Sequence, residues 1–271
     1  MKNGFELNGA QNTQILLNKK LFVLDMDGTF YLGDRLIPGS LEFIRKLEQT
    51  GKGFLFFTNN SSKVASFYKQ KLAAMGCLVK EDTIVTSGDV TIKHLQEKHP
   101  GKKVFLLGTE LLRSSFIKSG IELEESKPDI VVVGFDTTLA YERVSLACRY
   151  IRDGAEFIAT HPDLNCPTED GFIPDCGAMC ALITASTGVK PKYLGKPYAE
   201  TIDMIHRITG MRNEDIVFIG DRLYTDIAIG VNNGVTSVLV LSGETAPEDL
   251  KLSEIQPDFV FSSLKDLGNI L

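Results

Sequence analysis

From Leu21 onward, short apolar runs alternate with amphipathic stretches of helical length: "LFVLD", "GFLFFTNN", "KVFLLG", "DIVVVGFD", "EFIATHPD", "DIVFIGD" and "SVLVLSG". Runs that are apolar at nearly every position suit strands buried on both faces. Their alternation with helices predicts parallel α/β architecture. Several helices announce their ends. The one after "TNNSS" is expected to be capped by Ser61 or Ser62 and stopped by Gly76, and the one after "GDRLYTD" to end near Gly234. The stretch "TTLAYERVSLACRYIRDG" offers Thr137 or Thr138 as a cap and Gly154 as a stop. Residues 1–19 read as a polar arm. Two α/β regions then share the chain: a core of residues 20–87 and 188–271, and a second region inserted at 88–187.

Composition narrows the function classes. With 271 residues and 43% hydrophobic content, the chain can bury one large core or two modest ones. No apolar run reaches the roughly 18 residues of a membrane span. The opening "MKNGFELNGAQNTQ" lacks the apolar stretch of a signal peptide, so a cytoplasmic location is expected. Five unevenly spaced cysteines, Cys77, Cys148, Cys166, Cys176 and Cys180, predict reduced thiols rather than a disulfide framework. A formal charge of −6 argues against a nucleic-acid partner, which needs a basic face. It leaves room for a small anionic substrate, because a metal and a few lysines can reverse the sign locally.

In parallel α/β sheets, ligands gather at the carboxyl ends of strands. Four such ends carry reactive residues. "DMDGT" places Asp25 at the end of a strand and Asp27 in the loop that opens at Gly28 and Thr29; read alone, the pair is a nucleophile with a helper, a turn, or a simple cation site. "FFTNNSS" puts the Thr58 hydroxyl before a helix, where it and the following N–H groups can hold an anion or merely cap. Lys196, just before Pro197, is expected at the positive end of a helix dipole, a poor place for a cation unless an anion binds there. "IVFIGDRLYTDIAIG" ends a strand on Asp221, with Asp226 five residues later in the first helical turn, so that both can face one ion.

In combination the motifs are more specific. D-M-D-G-T, T-N-N, G-K-P and G-D-R-L-Y-T-D follow one another as in the haloacid dehalogenase superfamily of phosphohydrolases, which the chain resembles over nearly all of its length after residue 20. The large insert between the threonine and lysine motifs resembles the NagD-like branch, which includes p-nitrophenyl, phosphoglycolate and pyridoxal phosphatases. The resemblance implies a Rossmann-like doubly wound parallel-sheet core with an inserted α/β cap domain. It also implies Asp25 as the nucleophile that forms an aspartyl-phosphate, and Asp27 as general acid and then general base. Thr58 and Lys196 would bind the transferring phosphoryl group, with Asn59 and Asn60 beside them. Asp25, the backbone carbonyl of Asp27, Asp221 and Asp226 would hold Mg²⁺. Four carboxylates against one lysine leave a formal charge of about −3, which calls for a divalent cation, and all-oxygen ligation selects a hard one.

The resemblance implies a small phosphorylated metabolite as substrate; the lack of a long apolar run leaves no membrane partner expected, and a homodimer through the cap is open. The segment "ATHPDLNCPTEDGFIPDCGAM" resembles the family's cap loop, commonly A-T-N-x-D, with His161 in place of the asparagine. Asp163 and Asn165 are therefore expected to meet the leaving group. His161, Cys166, Cys176 and Cys180 could in principle bind zinc, but no close C-x-x-C pair is present. A phosphomutase or phosphotransferase on the same scaffold remains open. So does a receiver-like phospho-acceptor, although the 138-residue gap from Thr58 to Lys196 exceeds one small domain.

Overall fold

In the computed structural model the described residues are 10–168 and 171–271. They form two compact units: Met1–Phe57, Lys71–Ile84 and Ile205–Leu271 make the first, and Thr58–Gln70 and Val85–Met204 the second. The expected insert at 88–187 lies wholly inside the second unit, which also takes in the segment beginning at Thr58 and the residues up to Met204. Among the described residues no helix is long and apolar enough to cross a membrane.

The first unit is built on a sheet of six strands. In spatial order they are Phe259–Phe261, Thr236–Val240, Ile216–Gly220, Leu21–Leu24, Gly53–Thr58 and Ile84–Thr86. Counted along the chain this is 3-2-1-4-5-6 read from the other edge, the order of a doubly wound sheet. The pairing is parallel, with Leu21 opposite both Ile216 and Gly53. Leu21–Leu24 and Ile216–Gly220 are buried at every position, as their uninterrupted apolar runs required. The helix Ser40–Gln49 buries Phe43, Ile44 and Leu47 at three- and four-residue spacing, and the Phe43 ring meets Phe22 edge-on at 6.0 Å. Phe30 and Phe56 make a second edge-on pair at 4.8 Å.

The second unit carries a parallel four-stranded sheet in the order Lys192–Tyr193, Glu156–Ala159, Ile130–Val133, Val104–Leu107. The helices Tyr141–Arg152 and Cys176–Thr187 close its core with Val144, Ala147, Ile151, Met179 and Ile183. An antiparallel hairpin, Asn165–Thr168 with Gly171–Pro174, projects from the unit with Phe172 68% exposed.

All seven apolar runs contain strands at the expected places. Three local expectations need correction. The polar arm contains a helix, Ala10–Leu17, whose Leu16 is fully buried; Lys52 Nζ ties down its end by donating to the Leu17 and Lys19 carbonyls at 2.5 and 2.7 Å. Neither Thr137 nor Thr138 caps the Tyr141–Arg152 helix, because Thr138 N and Oγ1 both donate to Asp136 Oδ1 in a local turn, and Ala140 precedes the helix. Ser61 and Ser62 do not cap the helix Ala65–Ala74: Ser62 turns to Asn60 Oδ1, and Ser61 Oγ accepts from Phe135 N and pairs with Thr160 Oγ1. The edge strands Ile84–Thr86 and Phe259–Phe261 escaped the sequence reading, since three residues are too few to show a periodicity.

Truncating Phe56→Ala empties a fully buried site beside Phe30. It is expected to lower the unfolding free energy by about 3–5 kcal/mol, measured by urea denaturation.

Candidate active site

The point where the strand order reverses lies between Leu21–Leu24 and Ile216–Gly220, and the next residues are Asp25 and Asp221. Such switch points open a crevice at the carboxyl ends of the strands. The ladder runs through the first acid, whose N–H donates to the Ile219 carbonyl at 2.8 Å. Asp226 arrives from the short π-helical turn Leu223–Ile227. Its carboxylate accepts from Arg222 N at 3.1 Å, which fixes it at the start of that turn. One carboxylate oxygen from each of Asp25, Asp221 and Asp226 lies within 4.8 Å of the other two.

Asp221 and Asp226 are 2% and 1% exposed. Burial raises the Asp221 pKa far above the ordinary carboxylate range and the charge of Asp226 adds to this, against the opposing pull of Glu244 N–H, Arg222 and Thr29. Thr29 Oγ1 donates to Asp221 Oδ1 at 3.0 Å and Glu244 N to Oδ2 at 2.7 Å. A β-carbon on Gly243 would stand 2.0 Å from Asp221 Oδ2, so only glycine lets this loop reach the carboxylate. Three hard oxygen donors gathered this closely fit a cation such as Mg²⁺.

Asp27 follows in the turn closed by the Gly28 N–H to Tyr31 carbonyl bond of 2.8 Å. Its side chain is not one of the three grouped carboxylates. Burial raises its pKa, partly offset by the charges of Lys71 and Arg222. Lys71 lies over the Tyr31 ring at 4.2 Å and 3.7 Å from Asp34.

The remaining predicted residues belong to the second unit. Thr58 is 8% exposed and its Oγ1 accepts from Asn60 N at 3.1 Å. Asn59, Asp163 and Lys196 come together: Asn59 Nδ2 donates to Asp163 Oδ1 and to the Lys196 carbonyl, each at 3.0 Å, and Asn59 Oδ1 accepts from Lys196 N at 2.8 Å. Asp163, expected to meet the leaving group, is 3% exposed and turned inward to this pair. Asn165 is exposed at the base of the hairpin. Asn60 Oδ1 accepts from Ser62 N and Oγ at 3.0 and 2.7 Å. Pro197 does not begin a helix. Tyr198 N bonds the Gly195 carbonyl at 2.9 Å, making residues 195–198 a turn, and the helix starts at Ala199.

His161 is fully buried and pairs with Asp175, Nε2 to Oδ1 at 2.9 Å, while Nδ1 meets Thr160 Oγ1 at 2.9 Å. Burial alone would lower its pKa, but Asp175, with Cys176 and Asp163, outweighs that and lifts the imidazole to about 9. The cysteines take no part in the metal-capable groups found among the described residues, and Cys176 Sγ instead donates to the Val133 carbonyl at 3.2 Å.

Residues 22–122 match the haloacid dehalogenase-like hydrolase family and residues 193–267 the HAD-hydrolase-like family. An acid sugar phosphatase of Staphylococcus epidermidis is 34% identical over 244 residues, 90% of this chain and 94% of that protein. A 5'-nucleotidase of Bacillus subtilis is 33% identical over 247 residues, 91% of this chain and 96% of its own. The crystal structure of a 4-nitrophenylphosphatase from Thermotoga maritima superimposes with a TM-score of 0.92 at 49% identity, covering 94% of this chain and 98% of that one. The chain belongs to the haloacid dehalogenase-like hydrolases.

In this haloacid dehalogenase-like hydrolase the sequence reading passed over Thr29, Gly243 and Glu244, which hold Asp221. The only signal for the last two was their place at the end of the apolar run "SVLVLSG".

Gly243→Ala is expected to weaken Mg²⁺ binding about 10–100-fold, as measured by titration calorimetry, by displacing Asp221. A second expectation concerns pH. With Asp221 raised by burial, the metal-free native state keeps a proton that the unfolded chain has released, so stability falls as pH rises from the ordinary carboxylate range through the raised value. Mg²⁺ competes with that proton. The gain in Tm on adding Mg²⁺ should therefore be larger at about pH 8 than at about pH 5. Equal gains would show that no proton is displaced.

Proposed function

We propose that the chain hydrolyses small phosphomonoesters through an aspartyl-phosphate on Asp25. The observation that carries this reading is the grouping of Asp25, Asp221 and Asp226 at the switch point, with one oxygen of each within 4.8 Å of the others. Asp25, Asp221, Asp226 and the backbone carbonyl of Asp27 would hold Mg²⁺. When bound, the ion supplies positive charge against the carboxylates and the phosphoryl oxygens.

An Asp25 carboxylate oxygen attacks phosphorus, the bond from phosphorus to the ester oxygen breaks, and Asp27 gives its proton to the leaving alkoxide. The raised pKa of Asp27 suits it to hold that proton. Asp27 then takes a proton from water as the water attacks the aspartyl-phosphate. Cleavage of the phosphorus bond to Asp25 frees inorganic phosphate and restores the carboxylate. Thr58 and Lys196 bind the transferring group, Thr58 by hydrogen bond and Lys196 by charge. The names of the relatives span sugar phosphate, nucleotide and nitrophenyl ester chemistry, whose shared part is the phosphomonoester. Choice of leaving group falls to residues outside this set, and the exposed hairpin with Asn165, Phe172 and Ile173 is the apolar surface offered for it.

A phosphate-release screen over sugar phosphates, nucleotides and p-nitrophenyl phosphate, with Mg²⁺ and with a chelator, tests the reading. Asp25→Asn should lower turnover by at least about a thousandfold and abolish the base-labile phosphoryl adduct. An adduct on another residue, transfer to a second hydroxyl in place of water, or release that survives complete metal removal would overturn it.

A further inference from the structure

The Asn59 side chain has two N–H donors and one carbonyl, and the second unit occupies all three groups. Both Nδ2 hydrogens are taken, one by Asp163 Oδ1 and one by the Lys196 carbonyl, and Oδ1 receives Lys196 N. The amide can take only one orientation. A carboxylate and a carbonyl can only accept and a peptide N–H can only donate, so a flipped side chain would set oxygen against two acceptors and NH₂ against a donor. Asn59, Asp163 and Lys196 are 4%, 3% and 2% exposed, so water does not replace a lost bond cheaply.

The backbone around the clamp is held on every side. Ser87 Oγ donates to the Asn59 carbonyl. Gly195 N donates to the Thr160 carbonyl at 2.8 Å and Leu194 N to Ala159 at 3.1 Å. A β-carbon at Gly195 would lie 2.6 Å from Asn59 Oδ1 and 2.8 Å from the Thr160 carbonyl, so the close approach of the three segments requires glycine there.

From this geometry we infer that Asn59 is a positioning residue that fixes the backbone of Lys196, itself oriented by Asp163, and that its side chain makes no substrate contact. The inference rests on the proposed phosphatase reading, in which Lys196 binds the phosphoryl group. A lysine carries its charge on a flexible four-carbon stem, and a two-point hold on its peptide removes backbone freedom from that charge. Asp163 then acts on every substrate equally, because what it orients serves the phosphoryl group and not the leaving group.

The test compares wild type, Asn59→Asp, Asp163→Asn and the double swap, using p-nitrophenyl phosphate and a sugar phosphate, with urea unfolding in parallel. Asn59→Asp keeps the acceptor for Lys196 N but sets oxygen against Asp163 and the Lys196 carbonyl. It should lower kcat/KM about 100-fold for both esters by a common factor. Asp163→Asn alone should cost about threefold, since its amide carbonyl still accepts from Asn59. In the double swap the amide introduced at position 163 can donate to the carboxylate introduced at position 59, and at least about tenfold of the loss should return. No recovery with a wild-type urea midpoint would place Asn59 on the substrate and overturn the inference. If Asn59→Asp proves unfolded, Asn59→Ser replaces it; a loss of at least about tenfold common to both esters supports the clamp, and near wild-type turnover refutes it. A wild-type protein that releases no phosphate sinks the phosphatase reading itself, a result distinct from failure of the swap.

Discussion

Three carboxylates held within 4.8 Å of one another at the end of two buried strands set the terms for the rest of the first unit. Asp221 alone, almost fully buried, needs the Thr29 hydroxyl and the Glu244 N–H to remain hydrogen-bonded, and burial still raises its pKa. Repulsion of this kind is not removed by hydrogen bonds. A bound cation would offset it, and an all-oxygen donor set suits a hard one. The doubly wound topology makes the arrangement possible, because reversal of the strand order between Leu21–Leu24 and Ile216–Gly220 leaves a crevice where their ends meet.

Rigidity comes from the hydrophobic layers beneath. The strands that deliver Asp25 and Asp221 are buried at every position, and each is paired in parallel on both sides. Their end residues inherit the order of the sheet, whereas the loop beyond Thr236–Val240 has to be brought in by contact. Gly243 and the Glu244 N–H make that contact with Asp221.

The second unit solves a different problem, the burial of many polar groups without leaving them unpaired. His161 and Asp175 form a buried ion pair that Thr160 and Ser87 extend through the imidazole Nδ1, and Asn59, Asp163 and the Lys196 peptide satisfy one another. Breaking one member of such a set leaves another stranded, which is why a substitution at Asn59 differs from the loss of one surface bond. The same packing accounts for Asp163. Proline and glycine neighbours mark its segment as a loop, but the loop folds inward at Asp163 and outward only at Asn165 and the hairpin beyond.

What the sequence determined by itself is whatever depends on local pattern. Seven uniformly apolar runs predicted seven strands, the alternation with helices predicted parallel pairing, and Asp25, Thr58 and Asp221 were legible because each ends or directly follows such a run. Gly76, Gly154 and Gly234 stop their helices through positive φ, a property of the residue type. Tertiary structure alone decided what depends on partners far along the chain. It chose Ala140 over two threonines as the residue before a helix, because Asp136 had already taken Thr138. It brought Asn59 to Asp163 and to Lys196, separated by 104 and 137 residues, and joined them in one buried hydrogen-bond network. No periodicity records such pairings, since a hydrogen bond between distant side chains leaves no mark on the neighbours of either residue in sequence.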